Sequence, residues 1–124
     1  MPLLALLIDD SMLIRHTVAR FLENRGFAVE TATDGLAALD TLKAIRPDVI
    51  FTDLQMPRLS GYGLIDALKA NPETADIPIV VLAARPPSGD LSTSGIHSII
   101  YKDLNVEQQL SRSLDRLFPS GTTL

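Results

Sequence analysis

Apolar positions along the chain fall into two alternating rhythms. Leu3 to Ile8 form a short continuous apolar run, the pattern of a strand covered on both faces. In SMLIRHTVARFLENRG, Leu13, Ile14, Val18, Phe21 and Leu22 recur at helical spacing, with Ser11 placed to cap the start and Gly26 to close the end. FAVETA alternates as a more exposed strand does. Asp34 is placed to cap a second helix carrying Leu36, Leu39, Leu42 and Ile45, which stops before Pro47. DVIFTD is a second buried strand. Gly61 to Ala70 form a helix with Leu64, Ile65 and Leu68 on one face, ended by Asn71-Pro72. IPIVVLAA is the most strand-like run of the chain, and HSIIYK is a fifth strand. Asn105 with Gln108 makes a capping-box-like start for a last helix that turns Val106, Leu110, Leu114 and Leu117 inward.

Strand and helix thus alternate five times. That rhythm predicts an α/β fold, a doubly wound parallel sheet of five strands with helices on both faces and right-handed crossovers. One segment breaks it. RPPSGDLSTSG, residues 85 to 95, stands where the fourth helix belongs, yet its prolines, glycines and hydroxyl residues leave Leu91 as the one large apolar side chain. A degenerate fourth helix, irregular or one to two turns long, is the expectation for residues 86 to 95. No repeat or linker divides the chain, so residues 1–124 are expected to be a single domain, with about 119–124 a frayed tail.

Composition narrows the function classes. A chain of 124 residues with 46% apolar content is long enough to bury a core. A net charge of −4 offers no basic patch to meet phosphates, which argues against nucleic-acid binding. The absence of cysteine removes disulfides, thiolates and Cys-bound zinc. The opening MPLLALLI lacks a basic flank and runs into Asp9-Asp10, so it reads as a strand rather than a leader. No apolar stretch spans a membrane, and the expected compartment is cytoplasmic. His16 and His97 read as surface histidines with no metal-ligand spacing.

The chemistry gathers at strand ends. Asp9 and Asp10 end the first strand, Asp53 the third and Lys102 the fifth. In a sheet of order 2-1-3-4-5 all four share the carboxyl edge, where such folds bind ligands. Clustered carboxylates repel unless a cation joins them. Oxygen donors without His or Cys suit a hard ion, and Mg²⁺ takes one or two carboxylates, waters and a phosphoryl oxygen. With Lys102 as a second positive charge, the constellation calls for a phosphate-like partner. Asp9 and Asp10 could instead cap the first helix, but Ser11 already fills that place.

LIDDS, FTDLQMPRLSG, IPIVVLAA and IIYKD together resemble the receiver domain of two-component response regulators, over nearly the whole chain. The resemblance implies a flavodoxin-like fold and a signalling domain, not a metabolic enzyme. It implies that Asp53 accepts a phosphoryl group from a histidine kinase or histidine phosphotransfer protein. It makes Asp10 the direct Mg²⁺ ligand, Asp9 a ligand largely through water, the Gln55 carbonyl a further ligand, and Lys102 the phosphoryl contact. Pro57 and Gly61 shape the loop and the helix start. A Mg²⁺-dependent aspartyl phosphatase is the rival enzyme, but its DxDx[TV] pattern wants a second acid where this chain has Gln55. Several positions depart from the receiver pattern. Ala83 replaces the Thr or Ser that ends the fourth strand, Ile99 replaces the aromatic three positions before the lysine, and Asp103 replaces the proline after it. Tyr101 is the nearby aromatic, expected to face away from Ile99. Arg85 is a candidate phosphoryl contact. These departures leave open a protein-interaction module of the same fold that works without phosphorylation.

Overall fold

The computed structural model describes residues 2–56, 58–84, 95–102 and 105–119. Five strands form one parallel sheet in the order β2-β1-β3-β4-β5. The strands are β1 Leu4–Ile8, β2 Ala28–Ala32, β3 Val49–Asp53, β4 Ile79–Ala83 and β5 Ser98–Tyr101. Four helices lie among the described residues: α1 Met12–Asn24, α2 Gly35–Thr41, α3 Gly61–Ala70 and α4 Val106–Leu117. The expected degenerate helix at 86–95 falls almost wholly outside the described residues. So do Arg85, Pro57 and residues 120–124 of the expected frayed tail.

Alternation along the central strands feeds two cores. Leu6, Ile8, Ile50, Ile79 and Val81 meet Leu64, Ile65 and Leu68 of α3 on one face. Ala5, Leu7, Val49, Phe51, Val80 and Leu82 meet Val18 and Leu22 of α1 and Leu110 and Leu114 of α4 on the other. β3 and β4 are buried along their whole length because both faces are covered. Arg25 ties α1 to α4 through Asp115 and Ser111, each at 2.9 Å.

Caps fix the helix starts. Ser11, Asp34 and Ser60 each accept an amide from the first turn of the helix that follows. Gly26 closes α1 with φ +95°, a conformation that suits glycine.

Several expectations are corrected. α2 ends at Thr41, not Ile45. The Thr41 hydroxyl bonds back to the Ala37 carbonyl, and the next turn tightens through Lys43 to Asp40 and Ala44 to Thr41 contacts. Leu36 and Leu13, assigned to inward stripes, are 45% and 72% exposed. At about 100° per residue, Leu13 falls on the side of α1 opposite the buried Leu22, and Leu36 on the side of α2 opposite the buried Ala38. Asn105 forms no capping box: its φ is +33° and its side chain makes no cap bond. Gln109 does the local work instead, giving and taking one bond each with the Tyr101 backbone at 2.9 Å. That pairing covers the outer edge of β5. Ile99 and Tyr101 share one face and pack on the same core, because residues two apart in a strand point the same way.

Candidate functional site

The strand order brings Asp9, Asp10, Asp53 and Lys102 to one edge. Asp9 continues the β1–β2 ladder, its amide bonding to the Ala32 carbonyl at 3.1 Å. Its side chain is fully buried. Oδ1 accepts the Ser11 amide at 2.9 Å, and the Arg15 guanidinium reaches the Asp9 carbonyl at 2.7 Å. Asp53 closes β3, where the ladder delivers it between β1 and β4. Its Oδ1 accepts the amides of Leu54 at 2.8 Å and Gln55 at 3.3 Å. Asp10 is exposed.

Lys102 bridges the two buried acids. Its ammonium lies 2.8 Å from Asp9 Oδ2 and 3.2 Å from Asp53 Oδ2. For the buried Asp9 Oδ2, this ammonium is the contact found among the described residues. Burial pushes the Asp9 carboxyl above its ordinary value, against the opposing pull of Lys102 and the Ser11 amide. Burial pulls Lys102 the other way, but Asp9 and Asp53 together outweigh it and hold the ammonium above its usual range.

One carboxylate oxygen from each of Asp9, Asp10 and Asp53 falls within 4.8 Å of the others. The donors are all hard oxygens, and among the described residues Asp9 Oδ2 meets only the Lys102 ammonium. That set fits a small divalent ion. Gln55 follows in the same loop, exposed.

The structure therefore gathers four of the residues singled out from sequence. Ala83 ends β4 beside Tyr101, its register partner, and is 3% exposed. Sequence reasoning missed Arg58, whose fork on Asp34 crosses 24 positions. Asp34 was legible as a cap, but nothing local marks its second partner. Arg15 was missed too; its signal was a cation four residues after the capping Ser11, on the turn that faces the strand end.

A family profile for the response regulator receiver domain matches residues 5–113. The response regulator MprA of Mycobacterium sp. (strain KMS) is 34% identical over 115 residues, which cover 90% of this chain and 49% of that protein. The chain thus spans about half the length of the curated relatives it matches. The chemotaxis response regulator CheY4 of Vibrio cholerae superposes with a TM-score of 0.86 at 29% identity, covering 95% of this chain and 100% of that one. The receiver domain of the sensor histidine kinase PA1611 from Pseudomonas aeruginosa PAO1, solved with magnesium in its active-site cleft, gives 0.84 at 25% identity, covering 94% and 98%. The chain belongs to the receiver domain family of two-component response regulators. No helix among the described residues is long and apolar enough to cross a membrane.

Proposed function

We propose that this domain accepts a phosphoryl group on Asp53, in the presence of Mg²⁺, from a histidine kinase or a histidine phosphotransfer protein in the cytoplasm. The observation that carries this reading is the Lys102 bridge between Asp9 and Asp53 beside the acidic cluster. Asp10, Asp53 and the Gln55 carbonyl would hold the ion, with Asp9 acting largely through water. When bound, Mg²⁺ supplies charge neutralisation for the nucleophile and the phosphoryl oxygens.

The chain's own groups set the rest. The Leu54 and Gln55 amides occupy Asp53 Oδ1, which leaves Oδ2 as the attacking atom. Its bond to phosphorus forms as the bond from phosphorus to the donor's imidazole nitrogen breaks, and that nitrogen keeps the electron pair. Little covalent work falls to the protein; positioning and charge carry the step. The Lys102 ammonium beside Oδ2 meets a phosphoryl oxygen. Intact mass after incubation with acetyl phosphate tests the reading. A gain of one phosphoryl group with Mg²⁺ and none in a chelator is expected; no gain in either overturns it.

Ala83 favours a second reading, a partner-binding module that works without phosphorylation. Its methyl offers no hydroxyl to a phosphoryl oxygen. One charge-assisted hydrogen bond is worth roughly 1.5–3 kcal/mol, enough to cut a population shift about tenfold. Amide NMR with beryllofluoride separates the two. Large shifts at Asp53 to Gln55 with weak ones at Ile99 to Tyr101 are expected. Equal shifts in β5 would show that the signal crosses without the hydroxyl.

A further inference from the structure

The loop from β3 to α3 is anchored at three points, and one anchor lies far away in sequence. At its start the Asp53 carboxylate takes the Leu54 and Gln55 amides. At its end the Gly61 amide bonds to the Leu54 carbonyl at 3.1 Å. Between them Arg58 holds a left-handed φ of +66°. Residues other than glycine keep that conformation only when their surroundings enforce it.

The Arg58 side chain is held by Asp34. Arg58 Nε donates to Asp34 Oδ2 at 3.0 Å and Nη2 to Oδ1 at 2.9 Å, a bidentate fork. Asp34 is itself fixed, since Oδ1 also accepts the Ala37 amide at 2.8 Å as the cap of α2. The Arg58 guanidinium and that amide hold the Asp34 carboxyl below its ordinary value, so the pair is charged at neutral pH. Leu59 closes over the same place: a β-carbon at Gly35 would stand 2.6 Å from the Leu59 carbonyl oxygen. The loop is thus bolted to the start of α2, and Gln55 lies between the anchors.

We propose that the Asp34–Arg58 fork is a positioning device for the cation site. It fixes the loop that presents the Gln55 carbonyl, and so sets the affinity for Mg²⁺ without touching the ion. The proposal rests on the reading that Gln55 supplies a ligand. It makes a prediction that charge alone does not. By field effects, removing the Arg58 cation tightens Mg²⁺ binding, and removing the Asp34 anion weakens it. A positioning fork makes both losses weaken it.

Mg²⁺ titration of the full chain, followed by amide NMR, tests this on Arg58→Gln, Asp34→Asn and the double variant. Asparagine still caps α2, so the helix start is kept. Each single variant is expected to raise Kd about tenfold, the low end for groups that orient a metal ligand. The double variant should be no worse than either single, because one fork is lost in each case. In Mg²⁺-free protein, the Leu54 and Gln55 amides should exchange faster while those of β1 keep their protection. Opposite effects of the two single variants would overturn the proposal, and so would wild-type affinity with wild-type exchange. Arg58→Gly covers a poorly folded Arg58→Gln, since glycine takes the left-handed φ freely; it must show the same loss of affinity, and wild-type affinity there overturns the proposal. A wild type that binds no Mg²⁺ refutes the ligand reading alone. The fork is then judged on amide exchange, where faster exchange in the variants supports it and unchanged exchange overturns it.

Discussion

Replacing Lys102 with methionine is expected to cost about 3 kcal/mol of stability at pH 7 in Mg²⁺-free buffer, the scale for stripping one partner from a buried ion pair. Asp9 has no exposed side-chain surface, and Lys102 only 15%, so water screens the pair poorly. The loss should depend on pH. Asp9 titrates above its ordinary value of 3.8 in the folded protein, so the folded state binds its proton more tightly than the unfolded chain. That contribution is full below 3.8 and disappears as pH rises through the raised folded value. Without the ammonium the protonated form gains further, so the variant's deficit should shrink as pH falls toward 4. In the wild type, the raised Lys102 contributes stability that is full below 10.5 and lost as pH climbs through its folded value. Mg²⁺ should restore part of the variant's stability by standing in for the missing charge. Urea unfolding of both proteins at pH 4.5 and pH 7 checks this. An equal deficit at both pH values would show that the bridge is not what holds Asp9.

Gly61→Ala is the second large effect. Gly61 opens α3, where alanine without a clash would be tolerated at least as well as glycine. Here the new β-carbon would overlap the Asp53 carbonyl oxygen and stand 2.7 Å from the Leu54 Cα. Both obstacles are backbone, which yields little, so a loss of about 3 kcal/mol is expected. The same clash pushes at the end of β3, so phosphorylation should slow far more than the loss of folded protein explains. A variant as stable as wild type would show that α3 shifts freely against the Asp53 loop.

That clash marks the boundary of what was legible in sequence. Strand identity was legible because Leu3 to Ile8, DVIFTD and IPIVVLAA are runs that only two-sided burial explains. The site was legible because the carboxylates and the lysine stand at strand ends, and a parallel sheet sends those ends to one edge. Contacts that depend on how loops fold over one another were not. Gly61 read as a helix start, but its need for a bare α-carbon comes from the Asp53 backbone beneath it. The Arg58 fork and the Gln109 cover on β5 join residues whose separation carries no pattern. Leu13 and Leu36 are apolar, yet a turn of about 100° per residue carries them away from the buried faces of their helices. Tyr101 was readable and was misread: period-two alternation alone puts it on the side of Ile99.

Asp53 as phosphoacceptor is the assignment on which the proposed function rests. Intact-mass measurement of wild type and Asp53→Asn, side by side with Mg²⁺ and acetyl phosphate, tests it most directly. Asparagine keeps the shape and can still take the Leu54 amide, but its amide cannot serve as the nucleophile. Wild type is expected to gain one phosphoryl group and Asp53→Asn none. An adduct of wild-type extent on the variant would contradict it.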